Sequence, residues 1–230
     1  MKQVMAVVVF LIGVSGALMA GPGETTLAVL DFENNSFFNA ESYQALTKGL
    51  AEMMITELQQ IQAIKVVERR RLRTMLEELK LSQSGLVEEK GTLQVGKLLG
   101  ARHLVFGGFL VGMDEKIRID VRIVEVETGL TIKASEVTGR TKQVLSLIKQ
   151  LSKKIMDDLD IRLSQTERKV LDRSRQMDLE AVMWFSRGVE KEDLGDLARA
   201  KQYYRKALSM EPEFHQAERR LRLLDSEKNP

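Results

Sequence analysis

The hydrophobic pattern of this chain changes period several times, and each change marks an element. Leu27 to Phe32 is a short apolar run suited to a buried strand, broken by Asn34, Asn35 and Ser36. From about Glu41 the period becomes helical. Leu46, Leu50, Met53, Met54 and Leu58 share one face, and Lys48, Glu52 and Gln59 are predicted to lie away from it. Ile64, Val66 and Val67 predict a second short strand, and Arg69 to Lys80 a second helix carrying Leu72, Met75, Leu76 and Leu79. A third helix, from Glu88 or Thr92 to Leu99, is weakened by Gly91 and Gly96. Gly100 is placed to end it, because glycine takes the left-handed conformation cheaply. His103 to Leu110 predicts a third strand. Ile117, Ile119, Val121 and Ile123 then alternate with Lys116, Arg118, Asp120 and Arg122, the signature of a strand with one dry and one wet face. Glu127, Thr128 and Gly129 mark a hairpin turn, and Thr131 to Val137 returns with Ile132 and Ala134 on one face. Thr141 is positioned to cap a helix with the stripe Val144, Leu145, Ile148, Leu151, Ile155 and Leu159. This order predicts an α/β fold, a mixed sheet flanked by helices.

Both ends of the chain differ from this middle. Lys2 precedes an apolar stretch from Val4 to Leu18 that ends in small residues, with cuts expected after Ala20 or Ala17. This reads as a secretory signal peptide over residues 1–20. A retained anchor is the alternative, although the run is short for a span of ~20 residues. The expected division is then an α/β domain over 25–163, a charged linker or exposed helical turn over 164–177, and a helical module over 178–228.

In that module Trp184, Gly188, Gly195, Ala200, Tyr204, Ala207 and Pro212 fall at the positions of a 34-residue tetratricopeptide repeat running from Ala181 to Phe214, which it resembles. Gly188 and Ala200 would let two antiparallel helices approach, Trp184 and Tyr204 would fill the space between them, Gly195 would turn the chain and Pro212 would help start a capping helix. Arg187 and Lys191 stand where such repeats usually carry a leucine and an aromatic residue. The module fits either protein binding or a stabilising cap.

Composition narrows the chemistry. The chain has no cysteine, which excludes disulfides, thiolate metal sites and a diacylglycerol anchor. Lys and Arg number 35 against 33 Asp and Glu, so a dedicated nucleic-acid partner has no electrostatic basis. The two histidines, His103 and His215, lie far apart. Gly107 and Gly108 sit inside a strand and suit a bulge or a close backbone approach rather than a phosphate loop. Asp31 and Glu33 follow the first strand, where α/β sites often gather; a turn with Asn34 and Asn35 is the expected role of Asp31, and a functional one the alternative. Ser82, Ser84 and Ser174 have no histidine base in view. No catalytic residue, cofactor or metal site is therefore predicted. The densest charge cluster is Arg69, Arg70, Arg71 and Arg73, an expected interaction surface for lipid phosphates, cell-wall anions or an acidic partner. The plain alternative is a solvated helix start paired with Glu68, Glu77 and Glu78. Arginines at a helix N-terminus oppose the dipole, which hints that something compensates them.

An ordered set of blocks gives the α/β domain a resemblance. They are Leu27-Ala28-Val29-Leu30-Asp31-Phe32, then Ile64-Lys65-Val66-Val67-Glu68-Arg69, Gly96-Lys97-Leu98-Leu99-Gly100-Ala101, Val105-Phe106-Gly107, and Val121 to Gly129. The domain resembles the curli production assembly/transport (CsgG-like) family. That resemblance implies the CsgG/TolB N-terminal-like fold, export, and work in a periplasmic scaffold or accessory protein for secretion or assembly at the outer membrane. It leaves two alternatives: a subunit of a curli-type outer-membrane secretion complex, or a regulator of cell-wall synthesis. Implied partners are envelope or outer-membrane proteins, with a homo-oligomer open. The short links 110–117 and 126–131 leave no room for membrane-spanning hairpins, so no self-formed transmembrane barrel is expected.

Overall fold

A computed structural model describes residues 25–82, 89–173 and 175–226. The expectations for the leader, Ser84, Glu88 and Ser174 lie outside them. The elements in chain order are β1 (Thr25–Val29), β2 (Glu33–Asn34), α1 (Ala40–Tyr43), α2 (Leu46–Leu58), β3 (Ile64–Val66), α3 (Arg69–Ser82), α4 (Glu89–Leu98), β4 (His103–Val111), β5 (Lys116–Glu125) and β6 (Thr131–Arg140). A 3₁₀ turn (Thr141–Gln143) leads into α5 (Val144–Asp158), α6 (Gln165–Asp172), α7 (Leu179–Asp193), α8 (Leu197–Met210) and α9 (His215–Ser226).

One mixed sheet runs β3-β1-β4-β5-β6, with β2 added to β4. The β3, β1 and β4 strands are parallel, as the helical crossovers require, and the β4-β5-β6 meander is antiparallel. The alternation in β5 holds: Ile117, Ile119, Val121 and Ile123 are buried under α2 and α5. On the opposite face Ala28 and Leu104 meet Leu72 of α3 and Val95 of α4 in a smaller core. Gly107 is a close approach. A Cβ there would lie 2.4 Å from the Phe32 ring, so only glycine lets Phe32 cross the strand.

One detail departs from the sequence pattern and two refine it. Thr141 does not cap α5; it is buried at the start of the 3₁₀ turn, and the Gln143 side chain instead accepts from the Arg140 N–H at 3.0 Å. Ile132 and Ala134 share a face, but an exposed one, because β6 is the sheet edge and only Val137 on it is buried. The charged stretch 164–177 carries α6, begun by a capping box in which Ser164 Oγ accepts from the Glu167 N–H at 3.3 Å and Glu167 accepts from the Ser164 N–H at 2.7 Å. Leu171 and Met177 are buried, so this stretch is packed against α5 and its approach.

The largest departure is α2. Of its predicted polar face Gln59 is exposed and Lys48 partly so, but Glu52 is buried, and Thr47, Thr56 and Glu57 are buried with it. A helix buried on most of its surface needs a second layer over its polar side. Here α7 and α9 provide it.

A charged joint and the surfaces it leaves open

The helical pair is built largely as its spacing predicts. Asp178 caps α7 by accepting from the Glu180 N–H at 2.7 Å, and Asp196 caps α8 by accepting from the Arg199 N–H at 3.1 Å. Gly195 turns the chain at φ +76°. Gly188 lies beneath Tyr204, whose ring a Cβ would meet at 2.5 Å. Ala200, Tyr204 and Ala207 are buried between α7, α8 and α9, and Pro212 is exposed in the turn that leads to α9. Trp184 is placed otherwise than expected. It is only half-buried and packs against Tyr203 from outside, the rings tilted with centroids 5.3 Å apart. The position between the helices is taken by Phe185, which contacts Tyr204 at 5.8 Å and Phe214 at 4.9 Å between centroids.

Val182, Phe185, Ser186 and Val189 turn the inner face of α7 onto α2. The crossing is tight. A Cβ on Gly49 would fall 1.8 Å from Ser186 Oγ and 3.1 Å from Ser186 Cα. Gly49→Ala is therefore expected to lower stability in urea unfolding by about 1–2 kcal/mol, even after alanine's ~1 kcal/mol better helix propensity. The double variant Gly49→Ala/Ser186→Gly should recover most of that loss. A neutral single variant would show that the two helices do not meet here.

Around this crossing, charges from both parts of the chain close on one another. Arg69, at the start of α3, forms a fork with Asp193 at the end of α7: Nη1 donates at 2.8 Å and Nη2 at 2.7 Å, and Nε reaches Asp31 at 3.0 Å. Lys48 of α2 donates to the same Asp193 carboxylate at 2.8 Å, and Arg73 donates to the Asp193 carbonyl. Burial by itself would raise the Asp193 carboxyl. The Arg69 hydrogen bonds and charge, with those of Lys48, outweigh it and hold the carboxyl below the usual aspartate range. Burial also opposes the charge on Arg69, but Asp31 and Asp193 keep the guanidinium firmly protonated.

A second buried network sits beside the first. Glu192 accepts from Tyr204 Oη at 2.8 Å and from Arg220 of α9, which also lies 3.5 Å from Glu52 on α2. Burial raises the Glu52 carboxyl, and Arg220 and then Arg69 pull it back. A third contact joins Glu57 of α2 to Gln216 of α9 at 2.7 Å. Each helix of the C-terminal module except α8 thus bonds directly to α2 or α3, and the two parts form one body.

The arginine run divides as a result. Arg69 is buried and so is withdrawn from an outward surface, and Arg73 is half-buried between Asp193 and Glu77. Asp193 draws both inward, because a carboxylate buried among apolar residues needs cationic partners. Arg70 and Arg71 remain exposed. Asp31 is not simply a turn residue; it completes the Arg69 cluster. The pattern missed Asp193, Lys48, Glu52, Glu192 and Arg220. The available signal was the unfavourable placement of arginines at a helix start, and the compensation comes from a helix 124 residues away in sequence.

Outside, the helical pair shows an aromatic and cationic surface. Arg187 lies 4.7 Å and Lys206 Nζ 3.5 Å from the Trp184 ring centroid, and Trp184 Nε1 donates to Glu180 at 3.2 Å. Across the sheet, Phe37, Phe38 and Met113 are exposed near one end. His103 is buried in its strand, and burial lowers its imidazole pKa; His215 is exposed on α9. Among the described residues no group of three His, Asp or Glu side chains is arranged to hold a metal ion, and no helix is long and apolar enough to cross a membrane.

Residues 17–118 match the family described as curli production assembly/transport component CsgG, and residues 181–214 match a tetratricopeptide repeat. The chain therefore carries a CsgG-like domain and a TPR-like repeat, on a mixed sheet flanked by helices with a helical C-terminal region. No curated protein matches the chain. Among solved structures, the LpoB C-terminal domain from Salmonella enterica is similar at 16% identity and TM-score 0.37, over 53% of this chain and 87% of that one. TolB from Acinetobacter baumannii aligns at 10% identity and TM-score 0.38, over 59% of this chain and 28% of that one. The PelC dodecamer from Paraburkholderia phytofirmans aligns at 12% identity and TM-score 0.36, over 62% and 91% of the two chains.

Proposed function

We infer that this chain, with its CsgG-like domain and TPR-like repeat, is a non-enzymatic periplasmic component of an envelope assembly or secretion complex and works through protein–protein contacts. The match of residues 17–118 to a curli assembly/transport component carries this reading, and favours a subunit of such a complex over a freely diffusing accessory factor. The architecture supports it. The buried charges join α7 and α9 to each other and to α2 and α3, each carboxylate held by an arginine, a lysine or an amide across a helix contact. The strands β4, β5 and β6 pair along their whole lengths, and the links at 112–115 and 126–130 are short. This suits a protein seated beside a channel more than one forming its wall.

Because α2 is covered by α7 and α9, removing the helical module would strip the core, so the test must keep the full chain. Tagged full-length protein should be extracted from cross-linked bacterial envelopes and its mass measured. The expected result is a discrete assembly several-fold heavier than the 26.1 kDa chain and containing an outer-membrane protein. A lone monomer in the extract, or protein confined to the cytosol, would overturn the reading.

A further inference from the structure

A groove of about 1080 Å³ opens between α2, α5 and α9, walled on one side by the chain that follows α6. Its apolar surface comes from Leu145, Val170 and Leu223. At its base the buried Glu57 carboxylate accepts from Gln216 at 2.7 Å and Gln60 at 3.2 Å, and lies 3.9 Å from Lys149 Nζ. Lys149 also donates to the Val170 carbonyl at 3.1 Å, so its ammonium is fixed at the groove floor. On the rim, Glu213 and Glu218 are each held by an arginine, Arg175 and Arg222. Arg173 and Arg219 also line the groove, are exposed, and form no ion pair among the described residues.

We propose that this groove docks an acidic segment of a partner protein that carries an aliphatic anchor residue. The inference rests on the reading above for the existence of a protein partner, and names what that partner presents. The lining fits one chemistry. The apolar wall needs an aliphatic side chain to replace water, and pockets of this size accept a side chain with its flanking backbone. The acids present are already satisfied, whereas Arg173 and Arg219 offer forked donors that match carboxylates. A lipid surface is flat; it could touch the exposed Leu223 but not the buried Leu145 below it. A polyphosphate chain would leave the apolar wall unused and would face Glu213 and Glu218. The face is distinct from the inner side of α7, which α2 already occupies.

The test uses the full chain and short fluorescein-labelled peptides read by fluorescence anisotropy. One peptide combines Glu and Leu, one replaces Glu by Lys, and one replaces Leu by Ala. The first is expected to bind and the other two to bind markedly less. The variant Arg173→Glu/Arg219→Glu should weaken the first by about tenfold or more, and added salt should weaken it as well. Lys133→Glu, on the distant sheet edge, should bind as the unaltered chain does. Both residues are exposed, but Arg219 also acts on the buried Glu52, so the double variant is expected to melt somewhat lower and its binding is read well below that melting point, where it stays folded. The proposal falls if the lysine peptide binds equally, or if a folded double variant binds as tightly as the parent. It also falls if phosphatidylglycerol vesicles or polyphosphate bind with the same dependence on Arg173 and Arg219. Peptide binding by a chain that is monomeric in the envelope would remove the complex and leave the groove; an intact complex with no peptide effect would do the reverse.

Discussion

Asp193→Ala is expected to destabilise the chain by about 3–5 kcal/mol, the cost typical of breaking a buried ion pair from one side. Asp193 is the shared acceptor of Arg69, Lys48 and Arg73, and its side chain and that of Arg69 are both almost wholly buried. Removing the carboxylate leaves the Arg69 guanidinium inside the joint with Asp31, which is itself partly exposed, as its hydrogen-bonded partner and with Glu52 acting only through its charge. The cost is desolvation that is no longer compensated, more than a lost attraction. Urea unfolding measures the loss, and hydrogen exchange should locate it: amides of α7 and α9 should lose protection before those of β4 and β5. Replacing both partners, Asp193→Leu with Arg69→Met, should restore much of the stability, because an apolar pair carries no stranded charge. A single-variant loss below about 1 kcal/mol would mean the cluster is solvated and holds nothing. The pH dependence has a definite sign. Asp193 titrates lower in the folded chain than its ordinary value of 3.8, so its contribution is complete above that value and is lost as pH falls through the lower folded pKa. Asp193→Ala should lack that acid-side component.

Phe185→Ala is expected to cost a similar amount, about 3–5 kcal/mol. Its ring is fully buried between Tyr204 and Phe214 on the side of α7 that faces α2, so truncation opens a cavity shared by the helical module and the sheet layer. The informative comparison is Trp184→Ala. Trp184 packs against the tilted Tyr203 ring at the surface beneath Arg187 and Lys206, so its loss should cost only about 1–2 kcal/mol. Calorimetry of both variants would show this order. It should also show whether Phe185→Ala keeps a single transition, as expected when one core spans sheet and helices. A larger loss at Trp184 than at Phe185 would place the wrong residue at the centre of the pair.

The sequence by itself determined the order of strands and helices, the alternation that buries Ile117, Ile119, Val121 and Ile123, and the helical pair marked by Gly188, Gly195, Ala200, Tyr204 and Ala207. These are local or short-range features. Period, turn chemistry and close helix contact are written in neighbouring residues, so they can be read without knowing what lies opposite. Tertiary structure decided the rest. Lys48 and Glu52 follow the solvent-facing pattern of an amphipathic helix, and only the arrival of α7 and α9 turns that face into an interior. Arg69 and Arg73 read as a surface patch until Asp193, far along the chain, draws them in. The physical reason is that a charged side chain has the same pattern whether it meets water or a buried counter-charge, and the choice depends on contacts that sequence spacing does not encode.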